Sequence, residues 1–167
     1  MKATFRSGRV LPAIAAILLG SMGSSASAGT RQTATITMPE EPAARKSGED
    51  LGYAEAVLVG DTAYLSGVVA SVRPGETTPD AAYRRAFERI SGALARVGCG
   101  WDDIVDITSF HTDVAAQLPF IVAAKKQFVH APYPAWTAIG VTRLIPGSGI
   151  TEIKVIAHGC TRGARPR

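Results

Sequence analysis

Two cysteines and three histidines among 167 residues leave little for metal chemistry. His111, His130 and His158 stand far apart and in no recognised ligand spacing, so neither a metal nor a cofactor is expected. Positive charge is scarcer than the formal net +4 suggests. Lys2, Arg6 and Arg9 fall in the first 28 residues, which carry no acid, and Arg162, Arg165 and Arg167 crowd the last six. The stretch between them has no clustered Lys/Arg face to neutralise a phosphate backbone, and no nucleic-acid partner is expected. Long apolar runs are missing as well. VLPAIAAILLG, ending at Gly20, is shorter than the roughly 20 residues a bilayer core needs, and Ser21, Gly23 and Ser24 follow it.

That same run has the features of an export signal. A basic start, a short apolar stretch and the small residues Ala26-Ser27-Ala28 as a cleavage site predict removal of residues 1–28. The remainder is then expected outside the cytoplasm, periplasmic or secreted, with no membrane attachment after cleavage. In an oxidising compartment the two cysteines could pair. The sequence leaves open whether Cys99 and Cys160 meet or remain separate thiols.

What is present fits one domain, since 46% hydrophobic content at this length supports one core and not two. Residues 29–50 are polar, contain Pro39 and Pro42 and lack helical periodicity, so they read as a linker or extended arm. The domain proper spans 51–160, with 161–167 as a basic tail. AEAVLVG and TAYLSGVVA read as two strands around the turn pair Gly60-Asp61. Thr78-Pro79-Asp80 supplies an N-cap and an acidic first turn for a helix whose stripe is Tyr83, Phe87, Ile90, Leu94 and Val97. DIVDITSFHTD reads as a strand with imperfect alternation. A second helix is predicted over about 118–130, with Pro119 tolerable only in its first turn. WTAIGVTRL and ITEIKVIAH close the chain as strands.

The order β-β-α-β-α-β-β with two amphipathic helices predicts an α+β fold, one sheet with both helices packed on one face. Nothing in the chain remains to cover the other face, so self-association is expected.

GYAEAVLVGDTAYLSG, AFERI, GCGWDDIVDITSFHTD, PYPAWTAIGVTRL and TEIKVIAHG, in this order over residues 51–159, resemble the RidA/YjgF (Rid) family. The resemblance implies a chorismate-mutase-like fold and a homotrimer whose sheets face inward, with a small-molecule ligand in each of three clefts between subunits. Its best-known members hydrolyse reactive 2-imino acids to 2-keto acids and ammonia, and others have been described as ribonucleases. Carried over by position, Glu152 is implied as the catalytic residue that positions the attacking water. Tyr53, Ser66, Gly67, Trp136 and Ala138 are implied as substrate-binding. Trp136 stands where active deaminases carry an arginine that grips a carboxylate, and an indole has one N–H and no charge with which to do so. Alternation places Trp136, Ala138 and Gly140 on one strand face, leaving space beside the indole.

Three functions are therefore open. One is an imine or enamine deaminase, a hydrolase choosing a less anionic substrate than a 2-imino acid. Another is a non-catalytic trimer binding a small, largely apolar molecule. The last is a structural or chaperone-like trimer in which Trp136 only packs.

Overall fold

The computed structural model of the chain describes residues 29–161. The expected export segment and the arginines after Thr161 lie outside the described residues. The elements are α1 (Thr30–Thr33), β1 (Thr35–Thr37), α2 (Pro42–Leu51), β2 (Ala56–Val59), β3 (Thr62–Leu65), β4 (Val68–Ser71), α3 (Asp80–Arg96), β5 (Ile104–His111), α4 (Val114–Lys125), β6 (Ala135–Gly140) and β7 (Gly149–His158).

The arm before the domain is more ordered than its composition suggests. β1 adds an antiparallel strand beside β2, and residues 42–51 form a helix. Its start has a local cause: the Glu41 carboxylate accepts from the Ala43 and Ala44 N–H groups, and Pro42 opens the first turn. The cap is a glutamate, outside the usual Ser/Thr/Asp/Asn signal, and the helix holds too few apolar residues to show a stripe.

β2 and β3 pair around Gly60-Asp61 as expected, with Val59 opposite Thr62. Gly60 has φ +62°, which a type II′ turn demands at its first central position. The run TAYLSGVVA is not one strand. It breaks at Ser66-Gly67, so that residues 62–64 pair with 156–158 and residues 68–71 with 149–153. β7 is thus the central strand, in the order β1-β2-β3-β7-β5-β6 with β4 also on β7. β1, β4 and β6 each pair with one strand only among the described residues.

Both long helices cover one face. Tyr83, Phe87, Ile90, Leu94 and Val97 are all buried, against Ile107, Ile153 and Val155 of the sheet. α3 starts at Asp80 with Pro79 at the cap and no side-chain cap bond, so Thr78 does not serve as its N-cap. The second helix begins earlier than expected. Asp113 caps it by accepting from the Ala116 N–H at 3.0 Å, which moves Pro119 beyond the first turn and ends the helix at Lys125. The imperfect alternation in β5 is a bulge at Val105, where the register shifts and Ile104 and Ile107 both turn inward.

Cys99 and Cys160 form a disulfide, closing 61 residues of chain. The join is made at Gly98, whose φ of +71° ends α3 and whose missing side chain admits the Thr161 carbonyl.

The second face of the sheet carries Val57, Tyr64, Val69, Phe110 and Ile156 beside Asp106, Thr108, Glu152 and Lys154. No described element lies over it, and Tyr64 is 47% exposed.

Candidate functional site

Glu152 leaves the central strand on this open face, with Val69 beside it on β4 and Phe110 beside it on β5. Its carboxylate rests in a notch made by Gly67: a Cβ there would lie 1.9 Å from Oε1 and 2.6 Å from Cδ. No side chain larger than hydrogen fits that position with Glu152 as it stands. Among the described residues no hydrogen bond or ion pair engages the carboxylate, so both oxygens keep their accepting capacity.

Ser66 fixes the notch from the side. Its hydroxyl donates to the Ala54 carbonyl at 2.7 Å and its N–H donates to the Glu55 carbonyl at 2.9 Å. This joins the strand break to the segment that carries Tyr53, whose 41%-exposed ring lies beside Gly48 of α2. Ser66, Gly67 and Glu152 therefore form one group, to which the backbone next to Tyr53 is tied through the Ala54 carbonyl.

Trp136 and Ala138 form another. On the edge strand β6 they are register partners of Ile107 and Ser109, and so face the helices, on the opposite side of the sheet from Glu152. One chain does not bring all six residues into one pocket. Arg143 lies beyond the end of β6, exposed.

The Trp136 N–H is already engaged, donating to Ser109 Oγ at 2.9 Å. Ser109 contacts His111 Nε2 at 2.9 Å, and His111 Nδ1 contacts Thr151 Oγ1 at 3.1 Å. Thr151 donates to Gln117 Oε1 at 3.2 Å, and Tyr83 Oη lies 2.7 Å from the same hydroxyl. Gln117 in turn donates to Thr112 Oγ1. One proton arrangement runs through these contacts: Ser109 donates to Nε2 at 2.9 Å in preference to the Thr137 carbonyl at 3.4 Å, His111 is protonated on Nδ1, and Tyr83 donates to Thr151. Ser109, His111 and Thr151 have no exposed surface, and burial lowers the His111 pKa from its usual 6.5.

A cation does stand beside residue 136, supplied by a different element. Lys125 Nζ lies 3.4 Å from the centroid of the indole ring. The sequence reading missed both this lysine and the buried polar chain, although signals existed. Lys125 is four residues after buried Ile121 on α4, and Ser109 and His111 share the inward parity of Ile107 on β5.

A mixed sheet bearing two helices on one face, with its other face open, defines the chorismate-mutase-like α+β class. The solved structure of Protein YJGH matches it with a TM-score of 0.66 and 36% identity, covering 77% of this chain and 98% of that one. RidA from the Antarctic bacterium Psychrobacter sp. PAMC 21119 matches at TM-score 0.57 and 28% identity, over 64% and 87%. RutC family protein YjgH of Escherichia coli (strain K12) is 44% identical over 110 residues, 64% of this chain and 82% of that protein. The 2-iminobutanoate/2-iminopropanoate deaminase of Dermatophagoides farinae is 34% identical over 109 residues, 62% and 83%. The family model described as Endoribonuclease L-PSP matches residues 46–159, and the chain belongs to this family, the RidA/YjgF family.

Proposed function

We propose that the protein hydrolyses the C=N bond of a small imine or enamine tautomer, giving a carbonyl compound and ammonia. The observation that carries this reading is the Glu152 carboxylate, seated in the Gly67 notch with no donor of its own chain upon it. An unengaged carboxylate there can accept a proton from water as the water oxygen bonds to the imine carbon. That proton passes to nitrogen, giving a carbinolamine. A second proton then moves from its hydroxyl to nitrogen by way of the same carboxylate as the C=O bond forms, the C–N bond breaks, and ammonia leaves. The relative named as a deaminase supports this chemistry.

The cleft is completed by a second copy of the chain. β4 and β6 are both open edges through which a cyclic trimer can join one subunit to the next, and in this reading Trp136 and Ala138 of one copy complete the cleft begun by Ser66, Gly67 and Glu152 of its neighbour. The uncovered sheet face supports the same assembly. Export belongs to this reading too, supported by the Cys99–Cys160 disulfide.

A non-catalytic trimer is the second reading, favoured by the Trp136 N–H, which serves Ser109 and is spent on packing. Ribonuclease activity has less support. The groove of about 460 Å³ beside β4 is lined by Arg73, Arg85 and Arg89, but Glu88 lies among them. Arg85 is held by Glu76, whose pKa it lowers to about 2. Turnover of imines by the wild-type protein and by Glu152→Gln tests the proposal against both.

A further inference from the structure

Lys125 is the last residue of α4, one turn after buried Ile121. Its ammonium sits 3.4 Å from the Trp136 ring centroid, at the one strand of the sheet whose residues are exposed on both faces save for that indole. Among the described residues no carboxylate or hydrogen-bond acceptor engages it. The indole face attracts the cation but cannot neutralise it. Burial lowers the Lys125 pKa with nothing nearby to oppose the shift. A half-buried, unpaired ammonium is a group that an arriving anion would relieve.

We propose that Lys125 and Trp136 form an anion seat at the β6 edge, in which the ammonium holds the single negative charge of a small ligand and the indole packs its apolar part. The inference takes the cleft of the proposed hydrolase as its location and reverses the expectation of a less anionic ligand. It also sets the kind of selectivity. An ammonium on a flexible stem is a point charge without the planar fork of a guanidinium. The seat therefore discriminates by charge and not by the shape of the anionic group, so that a carboxylate and a sulfonate of equal length bind alike.

A lysine in the last turn of a helix also interacts favourably with the helix dipole. That role alone predicts altered stability and no ligand preference, which the experiment separates. The probes are butanoate, propane-1-sulfonate and butanamide, titrated by fluorescence into full-length Trp101→Phe protein so that Trp136 is the reporter. Butanoate and propane-1-sulfonate should bind within about threefold of each other and about tenfold or more tighter than butanamide, with affinity falling as salt rises. Lys125→Met should abolish the preference and Lys125→Arg should keep it.

Equal binding of butanamide and butanoate, absence of any anion-dependent signal, or a preference that survives in Lys125→Met would each overturn the seat. Should Lys125→Met fail to fold, the salt dependence and the butanamide comparison decide alone. An intact preference in a protein that turns over no imine removes the hydrolase reading and leaves the seat standing. Imine turnover without the preference does the reverse.

Discussion

The Glu152 carboxylate occupies the space that a side chain at Gly67 would need, with Oε1 only 1.9 Å from where a Cβ would stand. Gly67→Ala must therefore displace the carboxylate or the strand break. Overpacking of this kind typically costs about 1–3 kcal/mol. A lower melting temperature is expected together with loss of turnover. In Glu152→Ala/Gly67→Ala, where the clash is gone, stability should return while activity stays absent. Stability unchanged in Gly67→Ala would show that Glu152 swings aside freely.

Between Ser109 and Thr151, His111 is neutral and its pKa is lowered by burial. The unfolded chain takes up a proton near pH 6.5, which the folded chain resists. His111 thus contributes stability that is fully present above about pH 6.5 and is lost as pH falls through the folded value. Denaturant midpoints measured from pH 8 to pH 5 should decline across this window, and less so in His111→Gln. An identical decline in the variant would assign it to other groups.

The Cys99–Cys160 disulfide closes 61 residues of chain, for which loop-closure entropy gives about 4 kcal/mol of stabilisation. Cys99→Ala/Cys160→Ala should lose most of this in urea denaturation, and reductant should lower the midpoint of the wild type but not of the double variant. Equal midpoints with and without reductant in the wild type would show that the bond is absent in solution.

Mass measured by light scattering should be that of three chains. Ile156, on the open face of the central strand, pairs with Tyr64 and Asp106, so Ile156→Asp sets a charge where the assembly would bury an apolar group. The variant is expected as a monomer without turnover. A monomeric wild type would separate Trp136 from Glu152 for good, because one chain holds them on opposite faces.

Much of the fold was legible because it rests on periodicity. The α3 stripe from Tyr83 to Val97 and the Gly60-Asp61 hairpin follow from local spacing and turn chemistry alone. The misses have equally physical causes. Asp113 looked like the end of a strand, yet it caps α4, which displaced that helix and Pro119 with it. Ser66-Gly67 sits within an apolar run, and only the partner strand reveals that the chain changes register there. The candidate residues came from position in the resemblance, and their division between two faces was not legible, since that depends on which strands pair. Lys125 came into view only when α4 was packed over β6.

The central claim is that Glu152 activates water against an imine. The most direct measurement is the rate of carbonyl product formation from imines generated in situ by an amino-acid oxidase, with semicarbazide trapping the uncatalysed background, for wild type and Glu152→Gln. Glutamine keeps the shape of the side chain in the Gly67 notch and removes its basicity. Loss of a general base lowers the rate by about 10²–10⁴-fold, and that fall in kcat, with the trimer and its melting temperature unchanged, is the predicted result. Turnover in Glu152→Gln equal to that of an active wild type, or a wild-type rate no faster than the background across the imine panel, would contradict the account.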